Sequence, residues 1–476
     1  EKLVAANCYE GLVRIMADGT IGKGVATDWN ISDDGLTYTF KLRNNSHWAM
    51  FSGHKAVLGE NYEDTFDITV KAEDFKFGIE RTLSEQTGSA DAPLFSAVKS
   101  ISTPDDFTIV FNLSYADDNF LYALTNPGAM PCDEEFFNLT NGKYGLDAKY
   151  LLCNGPFHVS KWTEKTSVKL AKNNEYNGES SVSPSSVTFY INNDDSEVAD
   201  KMNSVTYDVA FLSSSQFSSI ENKKDLNSVA VQNVTYSFIF NQNDNNYRNK
   251  NMRLAFCRSC DTSSLFDSQS DISKADGIVP PSCKIGGEDY RNGNAAELLS
   301  YDETLAKKNF NDALLELGSS SVETTILCTE QYESFVKQMV QKLQKTLGVK
   351  FVSTVKVVSE SDLEAAVNDG NYSVAFYPFK AKSSFAGEII EGFDQNNIFG
   401  YESDVLSQKI RNIKNNSGSL EGERSAVADA ENYLVSEAVI MPVFYENSYF
   451  VTSKKTSGIY FYSSADNVCF INAKKS

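Results

Sequence analysis

Apolar positions recur along this chain with two distinct periods, and each period dictates an element. Alternation in Leu36–Leu42 (LTYTFKL) and Phe107–Leu113 (FTIVFNL) predicts half-buried strands. Phe157–Trp162 and Thr166–Leu170 read as hairpin arms that follow the turn Asn154-Gly155-Pro156. Residues 72, 75, 79 and 83 fall on one face of a helix over Lys71–Leu83. Val187–Ile191 and Asp208–Leu212 are strands flanking a helix, Tyr236–Asn241 is another strand, and Met252–Asp261 opens a helical region. The first 50 residues read as short strands broken by turns, and residues 49–69, polar and without period, as a loop insertion.

The most regular stretch is 303–377. Leu305–Leu317 is an amphipathic helix stopped by Gly318, and Thr324–Cys328 is a strand. Val336, Met339, Val340, Leu343 and Leu347 form a continuous helical stripe ending at Gly348. Val349–Val358 then reads as a strand, 361–368 as a helix and Tyr372–Tyr377 as a strand. Strands alternating with helices predict a βαβ layer with a mostly parallel sheet, while the strand-rich ends of the chain predict a more antiparallel lobe.

Composition narrows the function classes. Lys plus Arg number 43 against 64 Asp plus Glu, a net charge of −21. That field repels a phosphate backbone and anionic lipid, and no basic patch offsets it, so no nucleic-acid partner is expected. No apolar run is long enough for a transmembrane helix. The chain opens at Glu1 without Met, which implies a removed targeting segment or a trimmed chain. The eight cysteines are Cys8, Cys132, Cys153, Cys257, Cys260, Cys283, Cys328 and Cys469. They read as plain thiols or structural disulfides, in a pairing that sequence does not choose. A single Cys-x-x-Cys and three histidines in the whole chain give no metal site, so neither metal nor cofactor is expected.

Catalytic patterns are equally thin. G-x-S-x-G, His-E-x-x-His, the phosphate-binding loop and a Rossmann glycine run are all missing. Ser-x-x-Lys occurs at Ser96/Lys99, Ser334/Lys337 and Ser353/Lys356, a frequency close to chance. Acidic pairs such as Asp33/Asp34 and Asp117/Asp118 fit a solvated acidic surface better than a glycosidase dyad. The residues therefore point away from an enzyme.

The order of motifs adds what composition cannot. Tyr9-Glu10-Gly11-Leu12-Val13-Arg14, then Asp18-Gly19, Ala26-Thr27-Asp28-Trp29, Ile31–Arg43 (ISDDGLTYTFKLR), Trp48, Ala72-Glu73-Asp74-Phe75 and Arg81-Thr82-Leu83 run in sequence. Cys153-Asn154-Gly155-Pro156-Phe157, Trp162, Met252-Arg253-Leu254-Ala255, Gly277–Pro281 (GIVPP) and Ile440-Met441-Pro442-Val443 continue the set. The ordered set resembles the bacterial solute-binding protein family 5, the oligopeptide, dipeptide and nickel receptors of ABC importers.

The resemblance implies an α/β, periplasmic-binding-protein-like fold (class II, three-domain type), with mixed sheets and a hinge. It implies a discontinuous first lobe of residues 1–9, 133–234 and 447–476, an inserted domain of 10–132, and a second α/β lobe of 235–446. It also implies a monomeric, extracytoplasmic receptor that captures oligopeptides and delivers them to ABC permease subunits. The membrane would be reached only through a lipid anchor that this chain does not contain, Cys8 being a poor candidate beside the Tyr9-Glu10-Gly11-Leu12 strand. An oligosaccharide or other non-peptide solute, or a transport-inactive receptor or signalling role, remains the alternative. By position, Phe211, Leu212, Tyr236, Ser237, Phe379, Ala381 and Lys382 are the ligand-binding candidates, with Phe379 where the family has a stacking tryptophan. Lys382 departs from the family. It stands where peptide receptors carry the aspartate that binds a free amine. A cation facing a ligand ammonium is unfavourable, so either an anionic ligand group or a ligand without a charged amine is implied.

Overall fold

The computed structural model describes residues 2–16, 19–178, 181–191, 195–262, 265–266, 271–380, 385–394, 397–462 and 467–476. The chain divides into two compact units, one of residues 1–229, 417–419 and 449–476, the other of 230–416 and 420–448.

In the first unit, the alternating segments form an antiparallel sheet ordered Ala26–Ile31, Thr37–Leu42, Thr108–Leu113, Val98–Asp105. Its register places Tyr38 opposite Phe111 and Phe40 opposite Ile109, so the inward aromatics meet in edge-to-face contacts. The helix Ala72–Leu83 buries Phe75 and Ile79, as its spacing dictates. The hairpin Phe157–Thr163 and Ser167–Lys172 pairs onward with Ser186–Tyr190. All three tryptophans of the chain, Trp29, Trp48 and Trp162, belong to this unit.

Two readings of this part are corrected. Residues Lys2–Cys8 form a helix rather than a strand, its Asn7 side chain donating to Leu3 O and to Val468 O. The stretch 49–69 is not a bare loop but contains helical turns at Ser52–His54, Lys55–Leu58 and Tyr62–Thr65. Aromatic anchoring explains it: buried His54 packs against Phe51 and Phe136, and Tyr62 is also buried. Burial lowers the His54 imidazole to about 4, so it is neutral at physiological pH.

The motifs of this unit meet at one carboxylate. Glu10 accepts from Arg43 and from Tyr176 Oη (3.1 Å), while the Asn154 side chain bonds both the N–H and the carbonyl of Glu10 (3.0 and 2.9 Å). Arg43 Nη1 also donates to Gly24 O at 2.6 Å. Three separate motifs thus share one buried ion pair.

The second unit is built on a mixed sheet. The strand order is Ile440–Ser453, Leu226–Phe240, Val374–Lys380, Val322–Cys328, Phe351–Val357, with Ile272–Lys274 also pairing with Ile440–Ser453. Val322–Cys328 is parallel to both its neighbours, as the βαβ pattern predicts. Leu226–Phe240 is antiparallel to Val374–Lys380, so the sheet is mixed rather than mostly parallel. Phe238, Phe240, Val374 and Phe376 point to one core, with helices Lys250–Ser259, Glu303–Leu317 and Glu333–Leu347 over it. Ile239, Leu327 and Ala375 point to the other, under Glu360–Asn368, Ala386–Glu391, Asp404–Asn415 and Leu420–Ser436. The stripe Val336, Met339, Val340, Leu343 and Leu347 is buried throughout. The helix Glu303–Leu317 starts at the N-cap Asp302 and ends at Gly318, whose φ of 64° is left-handed.

A second buried carboxylate organises this unit. Glu431, on Leu420–Ser436, accepts from the backbone N–H of Ile278 and Val279 (2.7 and 2.9 Å), from Tyr290 Oη (3.0 Å) and from both Nη atoms of Arg291. Arg291 Nε returns to Val279 O at 2.8 Å. Residue 277 must be glycine, because a Cβ there would stand 2.2 Å from Arg291 Nη2 and 2.5 Å from Glu431 Oε1. Arg253 closes the far end of the same helix, donating to the carbonyls of Glu437 and Ala438 (both 3.0 Å) and of Tyr247 (2.7 Å).

Arg291→Ala leaves the Glu431 carboxylate buried without its cation, and we expect a loss of about 3–5 kcal/mol in urea unfolding. A second expectation concerns Asp74, whose carboxyl burial pushes up to about 8 against the opposing hydrogen bond from Lys71 N (2.7 Å). A raised acid favours the folded state when protonated. Its contribution is full below the ordinary carboxyl range and is lost as pH rises through about 8. Thermal melts from pH 4 to 9 should therefore show Asp74→Asn gaining on the parent chain as pH rises.

Candidate ligand-binding site

The candidates in the second unit lie on Leu226–Phe240 and Val374–Lys380, whose register pairs Thr235 with Phe379, Tyr236 with Pro378 and Ser237 with Tyr377. Period-two alternation splits Tyr236 from Ser237. Tyr236 points to the face of Phe376 and Phe444, with ring centroids at 5.5 and 5.0 Å, and meets Tyr332 at 4.4 Å. Burial raises its phenol, and Tyr332 donates to the buried Glu446 carboxylate, itself raised by burial. Ser237 points to the opposite face with Phe379, whose ring stacks on Phe393 and Phe399 (5.9 and 5.6 Å). The structure therefore brings Ser237 and Phe379 together and puts Tyr236 on the other side of the sheet.

Thr235 sits between them on the Ser237 face and was not singled out from sequence, although the same alternation assigns it there. Both residues are fully buried, and among the described residues neither Thr235 Oγ1 nor Ser237 Oγ has a hydrogen-bond partner.

In the first unit, Phe211 and Leu212 also face opposite ways. Leu212 is 1% exposed and packs with Ala199, Met202 and Val451. Its side chain is thus part of the core, leaving only its backbone to offer a ligand. Phe211 is 39% exposed and touches Phe450 and Phe461 at 5.3 and 5.5 Å between centroids. Those two rings stack at 4.4 Å and line a cavity of about 410 Å³, shared with Asn227, Thr452, Thr456 and Tyr460. Among the described residues, the lining is aromatic, aliphatic and neutral polar, with no charged side chain. Sequence missed it because its walls come from segments more than 200 residues apart, Asn227 on one and Phe450 to Phe461 on the other.

Ala381 and Lys382 lie outside the described residues. Among the described residues, no group of three or more His, Cys, Asp or Glu is placed to hold a metal ion, and no helix is long and apolar enough to cross a membrane. All eight cysteines are thiols, seven of them buried. Burial raises Cys257 to about 12 and Cys260 further.

The chain is similar to known proteins over nearly its whole length. It is 23% identical over 476 residues to the dipeptide-binding protein DppE of Bacillus subtilis, covering 95% of this chain and 84% of that one. Listeria monocytogenes OppA bound to peptide superposes with a TM-score of 0.77 at 21% identity, over 100% of this chain and 94% of that one. AgaA of A. tumefaciens R10 in complex with agropinic acid gives 0.74 at 17% identity, over 100% and 94%. These likenesses identify the fold as α/β and periplasmic-binding-protein-like, of class II. The sequence profile described as Bacterial extracellular solute-binding proteins, family 5 Middle, matches residues 20–399, and the chain belongs to that family of solute-binding proteins.

Proposed function

We propose that this chain is the extracytoplasmic receptor of an ABC importer, that it binds oligopeptides without chemical change, and that it hands them to permease subunits. The observation that carries the reading is the collinear likeness to DppE over 95% of the chain. The proposal includes the three-part layout of 1–9 with 133–234 and 447–476, of 10–132, and of 235–446, with a hinge that lets the lobes close on the solute. It also keeps Phe211, Leu212, Tyr236, Ser237, Phe379, Ala381 and Lys382 as ligand-binding positions and adds Thr235. Val209–Ser213 is an end strand of its sheet, so its outer backbone groups suit an added extended main chain. The Thr235 and Ser237 hydroxyls suit a neutral polar group, and the uncharged cavity beside Phe211 suits a side chain.

The second reading is a solute without a charged amine, such as an oligosaccharide. It is favoured by Lys382 at the family's amine anchor and by the absence of charge in the cavity lining. Native mass spectrometry of protein purified without denaturation separates the two: a ladder of peptide masses supports the first reading, and a single non-peptide mass overturns it. Lys382→Asp should raise affinity for free-amine peptides over N-acetylated ones, about tenfold or more by calorimetry. Unchanged affinities would remove Lys382 from the anchor.

Thr235→Val separates binding from folding. Removing an unmet buried hydroxyl should leave stability unchanged or raise it by about 1 kcal/mol. Ligand affinity should fall about 5–10-fold, the worth of one neutral hydrogen bond.

A further inference from the structure

Residues 8–10 run against 153–155 in closer apposition than ordinary packing permits. Gly155 N donates to Cys8 O at 2.8 Å, and Asn154 bonds both backbone groups of Glu10. A Cβ at position 155 would stand 2.6 Å from the Cys8 carbonyl carbon, so only glycine fits. Ala49 N donates to Cys153 O at 2.7 Å and pins that residue from another segment. The apposition leaves the Cys8 and Cys153 side chains beside one another in one apolar cluster with Phe157 and Phe470. Each is 1% exposed, and the neighbouring Cys153 thiol together with burial holds the Cys8 thiol well above its usual range.

We propose that Cys8 and Cys153 are a disulfide-forming pair, a covalent clip between the first helix and the Asn154-Gly155-Pro156 turn. Of the remaining thiols, Cys469 also packs against this cluster, and the others lie elsewhere. Cys132 is engaged by Arg81 Nη1 at 3.5 Å. Cys257 and Cys260 lie at the end of one helix, where Cys260 donates to Met339 O. The family's extracellular setting is one in which disulfides form and persist. In the step, each thiol loses its proton and the pair gives two electrons to the disulfide of a thiol–disulfide oxidoreductase. That enzyme leaves as a dithiol, and one S–S bond forms here. The clip spans a long loop, the case in which a crosslink most restricts the unfolded chain. It also fixes the segment leading directly into Glu10 and its ion pair. The proposal is independent of what the protein binds.

The test is a non-reducing tryptic map of the full chain, denatured in N-ethylmaleimide after equilibration with a glutathione buffer of extracytoplasmic poise. Peptides 3–14 and 150–161 should appear crosslinked and about 2 Da below the sum of their thiol forms. Adding reductant should lower the melting temperature by about 5 °C in the parent chain and leave Cys8→Ala unaffected. Recovery of both peptides alkylated overturns the proposal, as does either cysteine joined to Cys132 or another partner.

Discussion

A carboxylate withdrawn from water survives inside a protein only where a cation and several donors replace its hydration shell, and Glu431 meets that condition in full. Two backbone N–H groups, a phenol and a guanidinium converge on it. One side chain thereby fixes the loop after Ala275, the turn at Tyr290 and the helix Leu420–Ser436 in a single arrangement. Glu10 has the same role in the other unit, with Arg43, Tyr176 and Asn154 as its donors. The signature residues of this family are therefore largely frame. Arg43, Asn154, Arg253 and Gly277 hold backbone to backbone.

This division explains what was legible in the sequence. Periodicity located the helices Ala72–Leu83, Glu303–Leu317 and Glu333–Leu347, because one buried face and a glycine stop are local properties. It shortened Leu226–Phe240 to its apolar end, since the residues from Asn227 to Ala230 are exposed. Only the opening of Ile440–Ser453 was visible, through its Ile-Met-Pro-Val run. The helix at Lys2–Cys8 escaped because its stability comes from Asn7 reaching Val468, a contact 461 residues away in sequence. The parallel-sheet reading held for Val322–Cys328 and its neighbours but could not foresee an antiparallel strand from a distant segment.

The candidate site was legible by position rather than by chemistry. Alternation alone separates Tyr236 from Ser237 and Phe211 from Leu212, yet a family position names a residue without saying which way it points. Thr235 and the rings of Phe450 and Phe461 needed three-dimensional neighbours to be noticed. What the described residues share is neutrality: hydroxyls, an asparagine and aromatic faces.

The confinement of Trp29, Trp48 and Trp162 to one unit has an optical consequence. Indole emission excited at its red edge comes entirely from that unit, while tyrosines are spread over both. Changes around the indoles of the first unit are thus readable in the native chain without an attached dye.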